Sequence, residues 1–207
     1  MTALKLFHSP ASPYVRKVLV SAHEKGIANK IELLPSAAGP VKRDQTIIPH
    51  NPSGKVPTAI LPDGQPLFDS RVICAYVDTM GETPRLLPEA HEERFRVLTL
   101  EALADSMLDA ALLCRYEMVM RPEEKRWTDW YNGQMEKIDS GLDDLSGNWL
   151  DRLQGPISAG TIAVACALGY LDFRFADKDW RTGSKDLADW YGEFAKRESM
   201  KATWPQG

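Results

Sequence analysis

The chain is short of cysteine, of clustered histidine and of long apolar runs, and each shortage removes a class of function. Its 207 residues include 3 cysteines, Cys74, Cys114 and Cys166, widely spaced and each set among apolar residues in a helical pattern. No CxxC and no Cys/His pairing occurs, so neither a disulfide framework nor a zinc site is expected, and the thiols read as small buried hydrophobes. The 4 histidines, His8, His23, His50 and His91, are scattered without metal-ligand spacing, so no metal is expected. No apolar run approaches the roughly 18 residues that a membrane-spanning helix needs. Positive charge is also in deficit. The 25 Lys+Arg against 29 Asp+Glu give a formal net charge of −4, the wrong sign for a general binder of nucleic acid or of an anionic membrane. The opening Met-Thr-Ala-Leu-Lys-Leu-Phe-His lacks the apolar core and cleavage site of a signal peptide, and the expected location is cytoplasmic.

What is present changes character along the chain. Leu4–His8 alternates like a short strand, and the turn cluster Ser9-Pro10-Ala11-Ser12-Pro13 follows. From Tyr14 to Lys25 the residues Val15, Val18, Leu19 and Ala22 recur at helical spacing until Gly26 stops the pattern. Ile31–Leu34 reads as a second strand, parallel to the first because a helix joins them. Residues 36–51 are polar and punctuated by Gly39, Pro40 and Pro49, with room for one short helix at most. Thr58–Leu61 and Pro66–Phe68, joined by Pro62-Asp63-Gly64, predict an antiparallel hairpin in which Pro66 starts its strand or lies on an edge. Asp69-Ser70 then caps a helix carrying Val72, Ile73, Ala75, Tyr76 and Val77.

The order is β-α-β-(short α)-β-β-α within about 80 residues, the size of one small domain. Gly81–Glu89, with Pro84 and Pro88, reads as a linker, and strand signals vanish beyond it. Helical patterns run over roughly 91–120, 123–145 and 158–175, with a shorter one near 187–196. Two domains are predicted, the first mixed α/β and the second all α. The apolar stripes of the helices, and the six tryptophans, read as core.

Three short segments carry possible chemistry. Ser12 sits between the first strand and first helix, directly before Pro13, where unsatisfied N–H groups and partial positive charge suit an anion such as a thiolate. In Asn51-Pro52-Ser53-Gly54-Lys55-Val56-Pro57-Thr58, a cis bond at Pro57 would turn the main chain of Val56 outward, a groove edge for an extended peptide. Asp69-Ser70 opens a helix that can seat a small carboxylate. Each segment alone reads more simply as a cap or a Pro/Gly loop. Their order and spacing carry more.

Together they resemble the glutathione transferase family, with bacterial serine-type members the nearest likeness. The resemblance spans essentially the whole chain through Ser12–Val18, Asn51–Pro57, Phe68–Ser70 and Cys166–Arg174. It implies a thioredoxin-like α/β domain over 1–80, a linker over 81–89 and an all-α domain over 90–207, the cytosolic glutathione transferase architecture. It further implies glutathione as cosubstrate, no metal, a homodimer and a role in detoxification. Ser12 matches the residue facing the glutathione sulfur, with Ser9 a few residues upstream as the competing candidate. Lys55, Val56, Pro57, Asp69 and Ser70 match glutathione-binding positions: Val56 pairs with the cysteinyl part, and Asp69 with Ser70 holds the γ-glutamyl end. The second substrate, a small hydrophobic electrophile or an organic peroxide, is expected near Tyr14 and against Met107, Leu108, Ala111 and Arg115. The alternative function is a binding protein of the same fold that holds glutathione or a hydrophobic ligand with little turnover.

The chain departs from the family pattern twice. Position 12 is serine, so the thiol-transferase and dehydroascorbate-reductase reactions of cysteine-bearing relatives lack their protein thiol. The helix containing Cys166 starts Ser158-Ala159-Gly160-Thr161, where the family commonly places Asp at the fourth of these positions. Thr161 is expected to return a weaker capping partner, and Gly160 to weaken the first turn further.

Overall fold

Burial on both faces suits the first strand to the interior of a sheet. The computed structural model describes residues 4–81 and 84–207. Met1–Ala3, at the start of the opening compared with a signal peptide, and the Glu82–Thr83 part of the expected linker lie outside them. Strand β1 (Leu4–His8) buries Leu4, Leu6 and Phe7, and helix α1 (Pro13–Glu24) covers it with Val15, Val18 and Ala22. Strand β2 (Ile31–Pro35) pairs parallel to β1 in the register Leu4↔Ile31 to His8↔Pro35. Strand β3 (Thr58–Ile60) pairs antiparallel on the other side of β1, with Phe7↔Thr58 and Lys5↔Ile60. Strand β4 (Pro66–Leu67) pairs antiparallel with β3.

The sheet order is therefore β2-β1-β3-β4, and Pro66 both starts its strand and lies on the edge, where its missing N–H breaks no ladder. Helix α2 (Ser70–Thr79) adds Ile73, Cys74 and Val77 to the same core. Fully burying each such aliphatic side chain stabilises by roughly 1.5–3 kcal/mol. The short helix allowed for residues 36–51 does not form. That stretch is turns and bends, with Asp44 accepting from the N–H groups of Ala37 and Thr46.

The chain divides into two units: one runs to Pro88 and takes up the chain again at Glu198–Gly207, and the other spans Glu89–Arg197. The second unit is helical. It contains α3 (His91–Val119), α4 (Thr128–Asn148), α5 (Leu150–Leu153), α6 (Ala159–Arg174) and α7 (Lys185–Phe194). Every residue of α6 from Ala159 to Leu171 is buried, so this helix is the core around which α3 and α7 pack.

At the start of α6 the structure changes the expectation about capping. Ser158 Oγ accepts from Thr161 N–H at 3.2 Å, and Thr161 Oγ1 accepts from Ser158 N–H at 2.8 Å, a complete reciprocal capping box. Gly160 is there for a close approach: a Cβ would lie 2.9 Å from the Val97 carbonyl oxygen and 3.1 Å from Leu100 Cβ. Two short helices have no counterpart in the sequence reading, α5 and α8 (Glu198–Ala202). The latter packs on α1 in the first unit, although the composition shift alone assigns everything past residue 90 to the helical part.

Candidate functional site

The sheet registers bring the three chemical segments of the first unit to one end of the sheet. The chain leaves β1 at His8 into the Ser9–Ser12 loop. It enters antiparallel β3 at Thr58, opposite Phe7, so Val56-Pro57 arrives at that same end. It leaves β4 after Leu67, opposite Ala59, so Phe68-Asp69-Ser70 follows there as well. Topology alone thus gathers Ser9, Ser12, Lys55, Val56, Pro57, Asp69 and Ser70, and the N-termini of α1 and α2 open among them.

Ser12 is the N-cap of α1. Its Oγ accepts from the Val15 N–H at 3.3 Å, its carbonyl accepts from Arg16 N–H at 3.0 Å, and its own N–H donates to the Ser9 carbonyl at 3.0 Å. A hydroxyl that accepts from the backbone still has its proton to donate. Pro13 occupies the first helical position and no acidic residue stands in the first turn, so nothing there opposes an anion. Ser9 contributes its carbonyl to the turn beneath Ser12. Tyr14, partly exposed, lies in the first turn of α1.

The peptide Val56–Pro57 is cis. Pro57 is buried, Val56 partly exposed and Lys55 exposed. The residue that shapes this loop is one that motif reading missed. Asn51 is buried, and its Nδ2 donates to Thr58 Oγ1 at 2.9 Å, while its Oδ1 accepts from the N–H and the hydroxyl of Ser53 at 3.0 and 2.8 Å. Thr58 in turn donates to the Lys55 carbonyl at 2.8 Å. Arg43 donates to the Pro52 carbonyl and lies over Gly54, whose φ of 65° suits glycine. Asparagine followed within two residues by serine is an Asx-turn signal, and it was available in the sequence.

Asp69 is the N-cap of α2. One carboxylate oxygen accepts from Arg71 N–H at 3.0 Å, the side chain is exposed, and Ser70 beside it is buried. No cysteine competes with Ser12 for chemistry, because Cys74, Cys114 and Cys166 are all buried. Burial also pushes the Cys114 thiol up to about 11, with Lys178 opposing.

The residues expected to line a second-substrate pocket are placed less uniformly. Met107, Leu108 and Ala111 are buried in the helical unit, Met107 lying against Gly141 of α4, and Arg115 keeps partial exposure. Around Arg115 the structure adds a group not singled out from the sequence. Burial pushes the Tyr170 phenol up to about 12, with the charge of Arg174 opposing, Tyr116 adding and Arg115 opposing. The Tyr116 phenol is raised by burial too. Among the described residues, no group of three or more His, Cys, Asp or Glu side chains could hold a metal ion, and no helix is long and apolar enough to cross a membrane.

The chain is similar to known proteins over almost its whole length. Residues 11–80 match the family model of the glutathione S-transferase N-terminal domain, and residues 128–193 that of the C-terminal domain. The chain is 37% identical over 205 residues to the uncharacterized GST-like protein YibF of Escherichia coli K12, covering 98% of each. A glutathione transferase family member from Pseudomonas fluorescens Pf-5, solved with bound glutathione, superposes with a TM-score of 0.97 at 46% identity over 99% of this chain and 100% of that one. A structure from the same source with bound S-(propanoic acid)-glutathione gives a TM-score of 0.92 at 45% identity, again over 99% and 100%.

Proposed function

Because this chain belongs to the glutathione S-transferase family, we propose that it binds glutathione at the β1–α1 end of its first unit and activates the thiol through Ser12. The observation that carries this reading is the sheet register, which sets the Ser12 cap, the Val56–Pro57 edge and the Asp69–Ser70 helix start at one end. Glutathione bound in the Pseudomonas structure supports it.

In this reading Val56 pairs through its main chain with the cysteinyl part of glutathione, beside Lys55 and Pro57. Asp69 and Ser70 hold the γ-glutamyl end. Ser12 stays protonated and donates a hydrogen bond to the sulfur, with Ser9 shaping the turn below it. A free thiol of pKa about 8.5 is only about 3% ionised at pH 7, and lowering that pKa by two units takes roughly 2.7 kcal/mol. A hydrogen bond to a charged acceptor contributes about 1.5–3 kcal/mol and a helix N-terminus about 0.3–1. The hydroxyl and the helix start together cover the requirement.

The thiolate sulfur then attacks the electrophilic carbon, forming a C–S bond as the electron pair leaves on the departing group or into the conjugated system. An organic peroxide is the alternative electrophile: the sulfur bonds to its terminal oxygen as the O–O bond breaks, giving the sulfenic acid of glutathione and an alkoxide that takes up a proton to leave as the alcohol. The acceptor is a small hydrophobic molecule near Tyr14 or Arg115, with Met107, Leu108 and Ala111 as buried support. The S-propanoate on glutathione in the second Pseudomonas structure shows the size of adduct which that protein accepts. A homodimer, a cytoplasmic location and a detoxifying role complete the proposal.

The test is ultraviolet difference spectroscopy in the thiolate band on adding glutathione at neutral pH, for the wild type, Ser12→Ala and Ser9→Ala. The wild type and Ser9→Ala should show thiolate. Ser12→Ala should bind glutathione without it and lose about 10- to 150-fold in kcat/KM with a model electrophile, the equivalent of one charged hydrogen bond. Binding without thiolate in the wild type would instead favour a holding protein with little turnover.

A further inference from the structure

The short segment that returns to the first unit runs along the helix that carries Ser12. At the far end of α1, Ser199 Oγ donates to the Glu24 carboxylate at 2.5 Å. Midway, Arg16 is buried at 4% exposure, and its Nη2 donates to the Met200 carbonyl at 3.0 Å. The ring of Trp204 covers the same guanidinium, with its centroid 5.1 Å from the central carbon. Beyond the buried Pro205, the Gln206 N–H donates to the carbonyl of Pro10 at 3.3 Å, in the loop just ahead of Ser12. Residues 199–206 therefore follow α1 antiparallel, from its last residue to the loop before its first.

That path links a buried cation to the position of one hydroxyl. Arg16 follows Ser12 by one helical turn, and its N–H closes the first turn on the Ser12 carbonyl. Among the described residues its Nε and Nη1 have no hydrogen-bond partner, and the Met200 carbonyl and the Trp204 face hold the guanidinium in place. The Ser9–Ser12 loop is tied internally by the Ser12 N–H to the Ser9 carbonyl, and Pro10, exposed and without an N–H, is held through its own carbonyl by Gln206. A hydrogen bond weakens steeply as its distance and angle degrade, so a loop free to shift would lose the one to the thiolate while glutathione remained bound.

We propose that residues 199–206 form a strap that fixes the Ser9–Ser12 loop, with Arg16, Trp204 and Gln206 acting as positioning residues for the Ser12 hydroxyl. The proposal rests on the reading of Ser12 as the hydrogen-bond donor to the glutathione sulfur. It assigns a function to the α8 segment that neither the motif pattern nor the family match covers. The strap works through geometry: none of the three residues has to touch the sulfur.

The experiment uses the full chain as wild type, Trp204→Ala, Trp204→Phe and Gln206→Pro. Trp204 is half-exposed and Gln206 exposed, so these variants leave the core intact. Amide exchange in the absence of ligand is read first. The Ser12 and Arg16 N–H groups should exchange at least about tenfold faster in Trp204→Ala and Gln206→Pro, while the β1–β2 ladder is unchanged. In a pH titration of bound glutathione, the thiolate transition should move up by about half a unit or more in the same two variants, with the glutathione Kd altered less than about threefold. Trp204→Phe, which keeps an aromatic face on Arg16, should restore both. Unchanged Ser12 exchange, or acceleration spread equally through the sheet, overturns the strap. A wild type that never ionises glutathione would overturn the role of Ser12, and the exchange data would then still decide whether the segment fixes the loop.

Discussion

At the scale of single residues, one buried ion pair fixes the last stretch of the first unit before Glu89. Lys25 Nζ lies 3.2 Å from Asp78 Oδ1, and both side chains are almost fully buried. Lys25 also donates to the Pro84 carbonyl at 2.7 Å, while the Asp78 carboxylate accepts from the N–H groups of Leu86 and Leu87 at 2.8 and 3.1 Å. A stretch read from its prolines as a plain linker is thus pinned at Pro84, Leu86 and Leu87, and the two leucines are buried. Removing one partner of such a pair leaves the other charged and desolvated, which costs roughly 3–5 kcal/mol. Asp78→Ala should therefore destabilise the first unit by about 3 kcal/mol in guanidinium unfolding followed by circular dichroism. A loss below about 1 kcal/mol would mean that the backbone N–H groups and Lys25 find water or other partners.

At the scale of elements, two glycines in helices call for opposite outcomes. Gly160 in α6 has the Val97 carbonyl oxygen 2.9 Å and Leu100 Cβ 3.1 Å from where a methyl would sit, whereas Gly133 in α4 has nothing within 4 Å. Helix propensity favours alanine over glycine by about 1 kcal/mol at either position. At Gly160 overpacking against backbone, about 1–3 kcal/mol, should win, because a carbonyl held in α3 cannot rotate away. Thermal melts should show Gly133→Ala raising Tm and Gly160→Ala lowering it; two increases would mean that α3 and α6 separate easily.

The same elements show what could be read from the sequence. The strands of three to five residues, the Asp-Gly hairpin turn and the long helices are legible because each carries a signal in neighbouring residues. Helices α5 and α8 are one turn or little more, too short for a periodicity to exist. The predicted start of α4 at Glu123 became Thr128, because Glu123–Lys125 closes only a three-residue 3-10 turn after Pro122. In the candidate site the helix caps at Ser12 and Asp69 were legible, because a cap has a one-residue signature. Asn51 carried a local signal in its Asx turn with Ser53, whereas Arg16 acts through Met200, 184 residues away, and no local pattern encodes such a distance.

At the scale of the whole molecule, the carboxylates whose pKa the fold lowers are concentrated in the helical unit, and this shapes its response to acid. In the helical unit, Glu117 on α3 accepts from the Trp127 N–H at 2.9 Å and from Arg121 Nε at 2.7 Å, joining the end of α3 to the start of α4. That backbone hydrogen bond, with the Arg121 and Arg126 charges, holds its carboxyl below the usual range. Glu93 takes a forked pair from Arg152 at 2.8 and 3.3 Å and is lowered chiefly by that interaction. Asp179 is lowered by the Thr182 hydroxyl and N–H. The first unit has Asp44, lowered by Thr46 and by the Ala37 N–H, in an exposed loop.

A carboxylate whose folded pKa is depressed contributes stability above its unfolded pKa, about 3.9–4.3, and loses it as pH falls through the folded value. The helical unit should therefore hold a constant Tm from pH 7 to about 5 and weaken progressively below about 4. Tryptophan fluorescence reports that unit well, since Trp127, Trp130, Trp149, Trp180 and Trp190 lie within Glu89–Arg197 and only Trp204 lies in the first. Glu117→Gln keeps an acceptor for Trp127 but has no proton to gain, so its fluorescence-detected Tm should fall less steeply below pH 5 than that of the wild type. Because the largest cause at Glu117 is a short-range hydrogen bond, added salt should leave most of that difference in place. Equal slopes in the two proteins would assign acid sensitivity to other groups, and a difference abolished by salt would assign it to Arg121 and Arg126 charge in place of the backbone bond.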